Sequence, residues 1–159
     1  MTTEPQLTPF QRLKIQMEAI VPVVRALQAE LGDEAVMDAL RARHAHRVEA
    51  AAAQAEANGT HDTPVEVRIS GARTSMEIFA EGGVLDYEVV TDEPDALDID
   101  VSSCAYADLM NELGATDLGF LMLCSEDDVM VARAGTRLER TQTRMQGASH
   151  CDFRFRADC

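Results

Sequence analysis

Three cysteines and one carboxylate, Cys104, Cys124, Cys151 and Asp127, are the residues of this sequence whose types and spacing could do chemistry. A fourth thiol, Cys159, is the terminal residue, expected to fray, and is set aside. All of them fall from residue 104 onward, toward the C-terminal end of the sequence. In a reducing compartment such thiols serve more often in catalysis, in metal binding or as small buried side chains than in disulfides. Cys104 follows the alternating segment LDIDV and opens a helical one, which places it in a helix's first turn, capped by Ser102 or Ser103. Free backbone N–H groups and the positive dipole end would stabilise a thiolate there. The competing reading is a small hydrophobe that closes the strand.

Cys124 and Asp127 are three residues apart, so they share one face of a helix expected over about 118–131, and Asp128 can share it too. The preceding LGFLMLC is apolar. An acid beside it has reason to hold its proton more tightly and to take part in proton transfer; the alternative is an acidic helix end reaching solvent. In SHCDFRFRADC, strand alternation sends Cys151, Phe153 and Phe155 to a buried face. His150, Asp152, Arg154 and Arg156 go to the other face, which separates Cys151 from His150.

Three inward thiols admit two chemistries. They could bind a soft metal, but gaps of 19 and 26 residues contain no CxxC pair. The favoured reading makes one thiol a nucleophile and lines the pocket with the others, without a cofactor. His44 and His46 stand two apart on a helix, point in different directions, and make poor metal co-ligands.

Positioning these groups falls to an α+β chain. Thr8-Pro9 opens a helix whose apolar stripe is Phe10, Leu13, Met17, Ile20, Val24, Leu27 and Leu31, with Pro22 expected to kink it and Gly32 to end it. A second helix runs from about Glu34 to Asn58, with Asp33 as its expected cap. Its alanine-rich tail EAAAAQAEA suits close helix packing or a homo-oligomer contact. Val65, Val67 and Ile69 alternate as a short strand, followed by a short helix over 75–80. Strands follow over 84–90 and 97–101, then helices over about 104–113 and 118–131. Two last strands, about 136–143 and 150–156, flank a turn at Gly147. The expected architecture is one domain over 1–159. An N-terminal helical hairpin (1–60) packs with an antiparallel sheet of about four strands and two further helices (64–159).

Composition narrows the partners. A net charge of −14 argues against nucleic acid and anionic membranes as partners; the expected partner, a small-molecule substrate, comes from the resemblance given next. The N-terminus lacks a signal-peptide pattern, and no apolar run approaches the roughly 18 residues that span a bilayer. A cytoplasmic location is therefore expected.

The C-terminal half also carries a resemblance. CAYADLMNELG, DLGFLMLCSEDD and LERTQTRMQGASHCDFRFR resemble the L-2-amino-thiazoline-4-carboxylic acid hydrolase family. The shared pattern comprises Cys104/Ala107, Cys124/Asp127, Arg140/Thr141/Thr143, Gly147 and Cys151/Asp152/Phe153. Ala105 departs from it, where a proline often follows the first Cys. The terminal Gly-x-x-x-Cys-x-Phe is also similar to the end of 4-vinyl-reductase-type small-molecule-binding domains. The resemblance implies ring-opening hydrolysis of a cyclic amidine that bears a carboxylate. It gives Cys104 the nucleophilic role and Asp127 the amidine nitrogen. Arg140, with Thr141 and Thr143, would take the substrate carboxylate.

Overall fold

The computed structural model describes residues 7–157; Cys159 lies outside them. The chain divides into two compact units, Met1–Asp38 and Ala39–Cys159. In the first, helix α1 (Pro9–Leu31) begins with a capping box. The Thr8 hydroxyl accepts from the Gln11 N–H while the Gln11 side chain accepts from the Thr8 N–H. The helix continues through Pro22 and stops at Gly32, whose φ of 91° only glycine adopts readily. Its buried line is Met17, Val21, Val24 and Gln28, whereas Ile20, Leu27 and Leu31 of the expected stripe are exposed.

Helix α2 (Asp33–Ala57) starts at Asp33 itself. Along its later part Ala51 and Ala55 are buried, four residues apart on one face, where small side chains let another element approach closely. The strand expected at Val65–Ile69 does not form. Helix α3 (Val65–Glu81) occupies that stretch, with Arg68, Ile69 and Met76 buried and Val67 exposed. Three alternating residues fit either period, and the later buried positions decide for the helical one. Helix α3 packs across the sheet, touching β1, β2 and β4.

That sheet has four antiparallel strands in the order β1 (Leu85–Glu93), β2 (Ala96–Cys104), β4 (Cys151–Ala157), β3 (Thr136–Glu139). The class is α+β. Leu97, Ile99 and Val101 on β2 and Cys151, Phe153 and Phe155 on β4 are buried, as the alternation requires. Each of the large ones contributes about 1.5–3 kcal/mol by leaving water. The opposite face is not bare: Arg154 donates to Asp100 at 2.7 Å and Arg156 to Asp98 at 2.5 Å.

Between β2 and β3 lie α4 (Ala105–Glu112), the short α5 (Thr116–Gly119), a π turn (Phe120–Cys124) and α6 (Glu126–Ala134). The continuous helix expected over 118–131 is thus broken by one wide turn. A 3₁₀ turn (Arg144–Gln146) then leads to β4, and Gly147 follows it at φ 91°. Gly119 lies so close to this turn that a Cβ there would sit 2.2 Å from the Met145 sulfur. Among the described residues no helix is long and apolar enough to cross a membrane.

Candidate active site

The sheet register brings two thiols to the same end. Val101 on β2 is paired with Cys151, and Cys104 closes β2 three residues further on. Because β2 outlasts LDIDV, Cys104 is itself the residue that caps α4, at φ −147° and ψ 107°, rather than a member of its first turn. The N–H groups of Ala107 and Tyr106 face its sulfur and favour the thiolate, though neither closes a full capping hydrogen bond. Burial outweighs them and pushes the Cys104 thiol up.

The π turn places the third thiol and the acid. A five-residue step, closed by the Ser125 N–H donating to the Phe120 carbonyl at 2.8 Å, leaves Cys124 as its last member and starts α6 at Glu126. Such turns occur often at functional sites. The acidic tripeptide then splits. Glu126 pairs with Arg43 and Arg47, and Asp128 lies 3.2 Å from His44, all on α2. Asp127 alone turns to Arg140. One Arg140 Nη donates to its carboxylate at 2.7 Å and the other to the Cys124 carbonyl at 3.0 Å. The Arg140 side chain is 6% exposed, and its guanidinium lies against the rings of Phe120 and Phe153, 5.6 and 5.0 Å from their centroids.

Electrostatics tie these groups into one cluster. Burial pushes the Asp127 carboxyl up to about 6, although Arg140 pulls the other way. Burial drives the Cys124 thiol up to about 12, with Arg140 opposing and the charges of Asp127, Cys104 and Cys151 adding to the rise. The Cys151 thiol is also raised by burial, while the Arg144 N–H, 3.1 Å from its sulfur, works against that. Cys104 and Asp127 act on Cys151 as well, and Asp127 on Cys104. Each of the three thiols therefore feels the charge of Asp127, and Cys104 and Cys151 share one end of the sheet.

A groove of about 610 Å³ runs beside them between α4, α5 and the 3₁₀ turn. Three of its lining residues touch the cluster: Ala107 faces Cys104, Phe120 covers Arg140, and Arg144 holds Cys151. Among the described residues no three His, Cys, Asp or Glu side chains are arranged to hold a metal ion.

The family model for L-2-amino-thiazoline-4-carboxylic acid hydrolase matches residues 12–155. The chain belongs to that family. No curated protein matches it at a significant level. The family's name is that of a hydrolase, and its match extends well beyond the C-terminal motifs, through α1 and α2.

The remaining members of the family pattern have internal partners. Arg140 spends both terminal nitrogens on Asp127 and Cys124. The Thr141 hydroxyl donates to Asp152 at 2.6 Å. Thr143, 2% exposed, caps the 3₁₀ turn by accepting from the Gln146 N–H at 3.2 Å. Asp152 is the residue whose part was least foreseen. Besides Thr141 Oγ1 it accepts the N–H groups of Thr141 and Gln142 at 2.9 and 2.8 Å, and so fixes the bend between β3 and the 3₁₀ turn. Burial opposes its charge, but these hydrogen bonds win and hold its carboxyl below the usual range. His150 contacts Gln142 and Ser149, each at 3.1 Å, and not Cys151.

Proposed function

We propose that this chain is a cysteine-dependent hydrolase that opens a small cyclic amidine carrying a carboxylate, with Cys104 as nucleophile and Asp127 as its proton acceptor and donor. The observation that carries this reading is Asp127. Its carboxyl, raised to about 6, is charged at neutral pH yet binds a proton readily, and its charge reaches Cys104 and Cys151. Since burial keeps every thiol of the cluster protonated at rest, a nearby base is what the chemistry needs.

Asp127 accepts the Cys104 proton, and the thiolate adds to the ring carbon between sulfur and nitrogen. That carbon's bond to the ring sulfur breaks, and Asp127 returns the proton to the departing sulfur. Water then adds to the enzyme-bound isothiourea carbon, and the Cys104 thiol leaves. The product is a urea with a free thiol. Cys104 suits the first step because the Ala107 and Tyr106 N–H groups and the start of α4 favour its anion. Cys124, raised furthest, suits it least and walls the site together with Cys151. Arg140 holds Asp127 in place. No cofactor enters the scheme.

Incubation with L-2-amino-thiazoline-4-carboxylate, followed by mass spectrometry, tests this. The wild type is expected to add one water to the substrate, Cys104→Ala to give no product while keeping its melting temperature, and Cys151→Ala to retain turnover. Full activity in Cys104→Ala would remove the nucleophile. Ligand-dependent thermal stabilisation without product would leave a binding module.

A further inference from the structure

Arg140 cannot offer its fork to a substrate carboxylate without releasing Asp127 or the Cys124 carbonyl. A second arginine has no such commitment. Arg144 lines the groove, and its main-chain N–H is held by the Cys151 sulfur at 3.1 Å. Its Nη1 donates to the Ser149 carbonyl at 2.9 Å, which anchors one prong of the guanidinium. Its Nε is shut off from water and makes no hydrogen bond. An arginine N–H in that state is costly, because it has lost its hydration without gaining a partner. Nε is therefore out of a ligand's reach, and the prong left open is Nη2, so a carboxylate meets this guanidinium end-on, through Nη2 and the Nη1 beside Ser149. Arg68 Nε also lacks a partner, but Arg68 does not line this groove and its Nη1 is given to the Gly135 carbonyl.

We propose that Arg144, not Arg140, anchors the substrate carboxylate, and that the groove between α4, α5 and the 3₁₀ turn is the substrate-binding channel. This assignment rests on the hydrolase reading above for the identity of the ligand. The groove's volume, about 610 Å³, falls within the range common for small-molecule sites. Its walls carry both signs of charge. Asp108 on α4 lines the same groove as Arg144, so a ligand with a cationic amidine and an anionic carboxylate meets a partner for each. A purely anionic ligand would gain less, since the chain as a whole carries a charge of −14. Arg144 lines the groove and its main-chain N–H donates to the Cys151 sulfur, so a carboxylate held by its guanidinium would place the ligand next to that thiol. Arg144 is thus a binding residue set one step away from the bond that breaks.

The test compares two substrates, L-2-amino-thiazoline-4-carboxylate and 2-amino-2-thiazoline, which lacks the carboxylate, on the wild type, Arg144→Gln and Arg144→Lys. Losing a bidentate charged contact is expected to raise KM for the carboxylate substrate about tenfold to a hundredfold in Arg144→Gln. The loss in kcat/KM on the carboxylate-free substrate should be at least about tenfold smaller. Arg144→Lys, which keeps the charge but not the fork, should fall between, and it serves if Arg144→Gln does not fold. Equal losses on both substrates would make Arg144 a structural residue, and an unchanged KM would overturn the anchor directly. Should the wild type turn over neither compound, the hydrolase reading fails, and calorimetric binding of the same pair decides the anchor. A preference for the carboxylate compound that collapses in Arg144→Gln sustains it. A preference that persists, or no binding of either compound, overturns it.

Discussion

Asp98 and Asp127 each hold an arginine, at 2.5 and 2.7 Å, and they respond in opposite ways. The hydrogen bond from Arg156 holds the Asp98 carboxyl below its ordinary value, with burial opposing and Thr91 assisting. Asp127, with Arg140 just as close, is raised to about 6. Loss of accessible surface does not separate them, because the Asp98 side chain is 14% exposed and that of Asp127 25%. Depth does. Asp98 is covered on the outer face of the sheet by Arg154 and Arg156, a thin and polar layer. Asp127 is held by an arginine whose own side chain is 6% exposed, lies against the Phe120 and Phe153 rings and is tied to the Cys124 carbonyl, an apolar and closed surrounding. An arginine partner therefore does not set a carboxylate's protonation; the amount of water its field can reach does.

Removing each acid breaks the comparison most sharply. Asp127→Asn should lower kcat/KM by about 10²- to 10⁴-fold, the usual worth of a positioned proton acceptor. Asp98→Asn should leave it within about twofold, since surface substitutions away from a site act weakly. Similar losses in steady-state assays of the two variants would mean that depth has no catalytic consequence. On stability, Arg140→Ala should cost about 3–5 kcal/mol in urea unfolding, because it strands a buried carboxylate. A cost below about 1 kcal/mol would show that Asp127 is far better hydrated than its surroundings suggest.

How much of this contrast is legible from residues alone depends on whether a local pattern or a long-range contact creates it. The alternation of LDIDV and CDFRFR places Leu97, Ile99, Cys151 and Phe153 inside, and the structure agrees, because one buried sheet face enforces period two. The stretch 65–69 offers only three alternating residues and folds as helix, its identity fixed by packing at Ile69 and Met76. Spacing puts Cys124 and Asp127 close together, yet the π turn between them leaves no mark in the sequence. The charge run at 126–128 gives no hint that its outer members face α2 and only the middle one faces Arg140. Nor does RTQT reveal that Asp152 has claimed its threonine and its backbone. These are pairings between distant segments, and periodicity carries no information about them.

The pH dependence of stability sharpens the same contrast. Asp127 is raised from 3.8 to about 6, so between those values the folded chain binds the proton that the unfolded chain has released. Stability should therefore fall as pH rises through that window, by at most about 3 kcal/mol from this group. Asp98 is lowered from 3.8, so its contribution is present above that value and is lost as pH falls below it. Urea midpoints of the wild type and Asp127→Asn between pH 4 and 7 isolate the first term. The variant should lack the downward slope, and parallel curves would refute the raised carboxyl.

The smallest effect is expected at the sheet pair itself. Arg156, 31% exposed, exchanges one partner for water when it is lost, and Asp98 can recover part of its hydration because only a side chain covers it. Arg156→Ala should therefore cost about 1 kcal/mol or less in urea unfolding, near the upper end for solvent-facing pairs. It should also depend on salt, since screening acts on pairs that water can reach and spares those it cannot. Raising the ionic strength to about 1 M, where the screening length shrinks to about 3 Å, should erase most of the Arg156→Ala difference and leave that of Arg140→Ala nearly intact. If salt relieved both variants equally, the two pairs would share one dielectric environment, and the opposite behaviour of their carboxyls would need a cause other than depth.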